Sequence, residues 1–337
     1  MPIPFAFIAI GAGAAALGIG KGVKAGADQK DATQTNERAQ HIADRATKNA
    51  TKSRENSGKA LQELGQKKIW ILDNSVESFI RLFEQIHNVE LGESTGMDEL
   101  KKFRIDKQAF EELKQMSTMA SSIAGGIVGG AAAGALAAIG AYGGAMTFGA
   151  CATTGTAIAT LSGAAATNAT LAFLGGGALS VGGLGIAGGT MVLGGLVAGP
   201  ALAVMGFIVG AKASANKDAA YSNLAQARKY EEEVKTVQVL CKAIRMRANM
   251  FERLLIKLDA VFEPLTDSLA QIIQKSGTDF SQYSEEEKAV VAANLSLAKA
   301  IKAILDTPIL TEEGNLTAES EAIIKPIQDV IAVHANA

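Results

Sequence analysis

The sequence predicts an all-α protein in which long amphipathic, coiled-coil helices flank a glycine-rich apolar membrane hairpin. Three observations lead to this class. Charge is segregated: the 97 positions from Gln115 to Ala211 hold no Asp, Glu, Lys, Arg or His, in a chain of 337 residues with net charge −2 and mean hydropathy +0.18. Apolar residues on both sides of that run recur every three or four positions, and period-two alternation is nearly absent. Finally, 24 of the chain's 36 glycines fall inside the run.

Five segments follow from the pattern. Residues 1–27 form an apolar amino-terminal helix. No basic residue precedes its apolar stretch, and Lys21 and Lys24 come after it, unlike a signal peptide. An uncleaved membrane-active helix and an apolar helix buried in the protein both fit. Residues 28–114 form an amphipathic helical region. It opens with alanines at 39, 43, 46 and 50, continues through Ile69, Leu72, Val76, Phe79, Phe83 and Ile86, and is expected to break near Leu91–Met97, where two glycines flank small polar residues.

Residues 115–211 are the candidate membrane-insertion region, and residues 212–275 a coiled-coil helix. In the latter Val237, Ile244, Phe251, Leu258, Leu265 and Ile272 recur every seventh position, with Cys241, Ala248, Leu255, Phe262 and Leu269 between them. The seam through Val237, Ile244, Phe251, Leu255, Leu258 and Phe262 serves a stalk between subunits or a helix packed in its own bundle. Pro264 predicts a kink near Phe262. Residues 276–337 form a helical cap: a capping box from Ser284 to Glu287 opens one helix, Pro308 closes it, and a last helix from about Thr317 is expected to be interrupted at Pro326.

The glycines explain the uncharged run. In water each interior helical glycine costs about 1 kcal/mol relative to alanine, so a solvated helix of this composition is not expected to persist. In hydrocarbon an unpaired amide costs several kcal/mol, which forces helix whatever the propensities, and small residues four apart let helices approach closely. Gly126, Gly130 and Gly134 have that spacing, as do Gly140 and Gly144, Gly195 and Gly199, and Gly206 and Gly210. Residues 119–142 and 191–211 are the stronger spans. The more polar stretch 151–170 leaves a turn, a pore lining or a weak helix pair open. Because basic residues flank both ends of the run, an even number of crossings is expected, two to four in a run that allots about 20 residues to each.

Gly183, Gly185 and Gly188 spell G-x-G-x-x-G, but the first acid after them is Asp218, and neither the strand nor the ribose-binding acid of a dinucleotide site is present. The GIGKG at 18–22 has Ala15 in place of the first phosphate-loop glycine and Gly22 in place of the magnesium-binding hydroxyl. The three histidines are scattered, and no Ser/His/Asp or Cys/His set can be assembled, so neither an enzyme nor a cofactor is expected. Two cysteines do not suggest a disulfide framework. Near-neutral charge argues against a nucleic-acid partner.

The layout resembles the α-helical pore-forming toxins of the cytolysin A type and is similar to the apolipoprotein L group. It rests on the Gly126/Gly130/Gly134 spacing and the heptads, over residues 1 to about 275. The resemblance implies a chain that inserts its central hairpin into a lipid bilayer and oligomerises, with copies of itself or with related helical subunits. Its location is then a membrane, or solution before conversion to an inserted form. A membrane-anchored coiled-coil scaffold or receptor-like signalling protein shares every feature except the pore.

Overall fold

The computed structural model describes residues 22–89, 107–124, 136, 139–141, 217–311 and 314–335. Of the described residues, 89% are helical, and they include no strand, only isolated bridges between His87 and Asp279 and between Leu310 and Leu316. None of their helices is long and apolar enough to cross a membrane. Residues 1–21, the expected break at Leu91–Met97 and nearly all of residues 125–216 lie outside the described residues.

Two long helices organise the molecule. Helix α1 spans Gly22–Ile71 and passes through a π-helical turn, Leu72–Val76, into α2, Glu77–Phe83. Helix α3 spans Lys107–Ala124, and α4, the longest of the described helices, spans Lys217–Ser276. The 50 residues of α1 carry it roughly 75 Å at 1.5 Å per residue. No proline interrupts α1, and its small residues point inward: Ala32, Ala39, Ala43, Ala46 and Ala50 are all buried.

Helices α1 and α4 run parallel. Side-chain hydrogen bonds pair Tyr221 with Asp31, Asn223 with Asn36, Arg45 with Glu231, Lys67 with Asp259 and Ser75 with Asp259, and the sequence separation stays between 184 and 192 throughout. An antiparallel pair would hold the sum constant instead. One end of this pair is a slender arm, in which Ala43, Ala46 and Ala50 close on Tyr230 and Val234. Alanine brings the helix backbones together but buries little apolar area, so the arm gains less from burial than the rest.

The other end is a bundle. Phe79, Phe83, Phe110 and Phe262 pack ring against ring, with centroids 5.3–6.5 Å apart, joining α2, α3 and α4. Helix α5, Glu285–Asp306, packs along α4. Its amino terminus carries the capping box: Ser284 Oγ accepts from the Glu287 amide at 3.2 Å, and Glu287 Oε2 accepts from the Ser284 amide at 2.9 Å. Two short helices, α6 (Glu319–Ala322) and α7 (Ile324–Ala335), complete the bundle.

Two local expectations, on the last helix and on the boundary at residue 115, differ from what is found. Helix α4 continues through Pro264, whose missing amide leaves a carbonyl one turn back without its donor. Just beyond the proline, Asn294 of α5 accepts from Thr266 Oγ1 at 3.0 Å and donates from Nδ2 to the Leu265 carbonyl at 2.9 Å, so tertiary contacts hold the turn that proline weakens. The last helix is interrupted at Ile323, not Pro326: Pro326 falls in the first turn of α7, where its amide has no partner to lose. And α3 crosses the boundary drawn at residue 115, with Met116, Ser117, Met119 and Ala120 buried in the bundle.

Candidate functional site

The start of the uncharged run is built into the bundle through α1. Inward positions of α1 follow the helical period through Leu61, Leu64 and Lys68 to Ile71 and Leu72. Gly65 lies among them, and against it lies a second piece of the run. Leu136, Ile139, Gly140 and Ala141 have helical backbone, and Leu136, Ile139 and Ala141 are buried. A Cβ added at Gly65 would stand 1.8 Å from the Leu136 carbonyl oxygen, and one added at Gly140 would stand 1.9 Å from the Leu61 carbonyl oxygen. The two backbones touch, and both crossing points need glycine because no side-chain atom fits between them.

The segment crosses α1 in the antiparallel sense, since Leu136 faces Gly65 and Gly140 faces Leu61. Lys68, one turn further along α1, is 1% exposed and donates from Nζ to the Ile139 carbonyl at 3.1 Å. The Ala141 carbonyl accepts from the amides of Ile309 and Leu310 at 2.7 and 3.1 Å. The carbonyls of this segment are thus held by donors from α1 and from the chain beyond α5. Helix α3 is pinned beside them: Ser117 Oγ donates to the Leu72 carbonyl in the π-helical turn at 2.8 Å. A π-helical turn adds a residue and frees carbonyls for such side-chain donors.

Charge is handled with care at this junction. Lys302 of α5 bridges Glu112 of α3 at 2.9 Å and Asp306 at 2.5 Å. Asp306 is the charge that supports Lys68, and its Oδ1 is buried without a hydrogen-bond partner among the described residues. Burial pushes the Lys68 ammonium down from the ordinary 10.5 to about 7, against the opposing attraction of Asp306. Between those two values the unfolded chain binds a proton that the folded chain does not. Stability is therefore expected to rise with pH from about 7 towards 10.5 and to be independent of this group below 7. Denaturant unfolding of wild type and Lys68→Met across that window checks it: the variant should lose most of the slope.

Among the packing glycines predicted from the sequence, Gly140 is placed by the structure, and its neighbour is α1. Gly126, Gly130, Gly134, Gly144, Gly195, Gly199, Gly206 and Gly210 lie outside the described residues. In the α4 seam, Ile244, Phe251, Leu255, Leu258 and Phe262 are buried and Val237 is half-buried, and the helices α4 packs on include α1, α2, α5 and α7 of the same chain. Sequence reasoning missed Gly65 and Lys68. Both leave a signal: Gly65 interrupts an otherwise helical pattern, and Lys68 occupies an inward position of the same stripe.

A residue of the run and its downstream flank meet α1 at different levels. Gly140 meets α1 at Leu61, whereas Lys217, at the start of α4, pairs with Asp31 at 3.0 Å. Thirty helical residues separate those levels, roughly 45 Å at 1.5 Å per residue. No group of three or more metal-ligating side chains occurs among the described residues, and Cys241 is a free, buried thiol.

Fold and junction together define, among the described residues, a helical protein with a two-helix arm and a bundle, on which residues 136 and 139–141 of the uncharged run are seated by glycine contact. Compared with protein-family models, curated proteins and solved structures, the chain matches none.

Proposed function

We propose that this chain inserts the uncharged run 115–211 into a lipid bilayer and permeabilises it as an oligomer. The observation that carries the proposal is the run itself, 97 residues without a formal charge joined to a body that holds all 66 of the chain's Asp, Glu, Lys and Arg side chains. In the described structure Gly140 of the run lies against α1. Gly140 there makes the backbone-to-backbone contact that small residues make between helices in a bilayer. Insertion then exchanges one close helix contact for another of the same kind, at the cost of uncovering Leu61, Leu64 and Lys68.

Replacing Gly130 with leucine tests the assembly step. Leucine keeps the stretch apolar enough to enter a bilayer but fills the groove formed with Gly126 and Gly134, four residues apart on nearly one helix face. The expected outcome is a variant that still partitions into liposomes, releases little trapped dye and gives smaller crosslinked oligomers. Full release by this variant would remove the glycine spacing from the mechanism.

A further inference from the structure

The arm carries a basic groove that the permeabilising role does not use. Arg38, His41, Ile42 and Arg45, each three or four residues from another of the set, lie on one face of α1, and Leu224 and Arg228 lie one turn apart on α4. Together they line a groove of about 440 Å³ between the helices. The parallel register brings Arg38 level with Arg228, since their separation of 190 equals that of the bonded pair Asp31 and Tyr221.

We propose that this groove binds a phosphate-bearing anion, taken from a lipid headgroup or free in solution. The side chains of Ile42 and Leu224 are half-buried and form an apolar floor, with guanidinium groups from both helices at the rim. Arg45 is occupied by Glu231 at 3.0 Å. Arg38 and Arg228 make no hydrogen bond or ion pair with any described residue. Two guanidinium groups without a partner among the described residues thus line one groove, and an anion bound there supplies the partner that each lacks. The planar fork matches a phosphate with two parallel N–H···O bonds, which an ammonium cannot do. His41 adds a ring nitrogen at the same rim. The nearest acids on α1, Glu37 and Asp44, do not line the groove.

The proposal does not depend on pore formation, because binding is read without any dye. The test compares the full-length wild-type chain with the pair Arg38→Gln/Arg228→Gln. A control pair, Lys257→Gln/Lys325→Gln, changes net charge equally at exposed sites outside the groove. Co-sedimentation is measured with phosphatidylglycerol and with phosphatidylcholine vesicles, and pyrophosphate binding by calorimetry. If the source is a headgroup, wild type prefers phosphatidylglycerol, and the groove pair loses that preference by about thirtyfold, taking about fivefold for each basic residue at an anionic surface. The control pair then keeps the preference. If the source is free phosphate, wild type binds pyrophosphate, the groove pair does not, and vesicle binding ignores headgroup charge. Equal losses in the groove and control pairs mean diffuse surface charge and overturn the site, as does a wild-type chain that binds neither probe.

Discussion

Gly65→Ala is expected to destabilise the protein by about 2 kcal/mol, while Gly58→Ala in the same helix stabilises it by about 1 kcal/mol. Both substitutions bring the same gain in helix propensity, because a glycine in a helix interior costs backbone entropy that alanine does not. They differ in what the new methyl meets. At Gly58 nothing lies within 4 Å, so the gain is kept. At Gly65 the Cβ would stand 1.8 Å from a backbone oxygen and 2.7 Å from the carbonyl carbon of Leu136, and backbone cannot rotate away as a side chain can. The segment holding Leu136, Ile139 and Ala141 must therefore lift off α1, stretching the Lys68 bond to the Ile139 carbonyl. Denaturant unfolding gives both signs, and a stabilised Gly65→Ala would mean that the backbones do not touch.

Leu255→Asp is expected to have the larger effect, about 3–5 kcal/mol, enough to unfold most of a marginally stable chain. Leu255 is fully buried on α4, in the bundle, so an aspartate there either carries an unpaired charge into the core or splits the helices. Leu258→Asp should behave alike. Val239→Asp, on the same helix at 70% exposure, should change stability by less than about 0.5 kcal/mol. A seam variant that melts with wild type would place Leu255 outside the core.

The helical class and the α4 seam were legible because both rest on periodicity, which depends on side chains a turn apart and not on the partner. Ile244, Phe251, Leu255, Leu258 and Phe262 recur at spacings of three, four and seven and end in one stripe whatever covers it. What covers it was not legible. Heptads serve equally for a neighbouring subunit and for α1, and only the constant offset of bonds such as Arg45–Glu231 and Lys67–Asp259 reveals a parallel partner in the same chain. The change in charge at residue 115 does not mark a helix end: a helix is continuous in its backbone hydrogen bonds, and α3 runs from charged Lys114 through buried Met119 without a break.

The junction was hidden for a different reason. A glycine reads as helix-weakening by itself, and its use appears only when the opposite backbone is known; Gly65 and Gly140 are 75 residues apart in sequence and meet within one contact. Lys68 likewise reads as a surface residue by type. Its inward position makes sense beside the Ile139 carbonyl and the charge of Asp306, neither of which local sequence can supply. A run that looks uniformly membrane-directed by composition thus includes residues whose packing partner, in the described structure, is α1 of the same chain.

Release of trapped dye from liposomes, recorded while partition of the same wild-type sample is measured by sedimentation, tests the membrane role most directly. The chain is expected to leave solution with the liposomes and to release dye in step with the amount bound. Partition without leakage at every pH and lipid charge tried would contradict it, and would leave a membrane-anchored helical scaffold in its place.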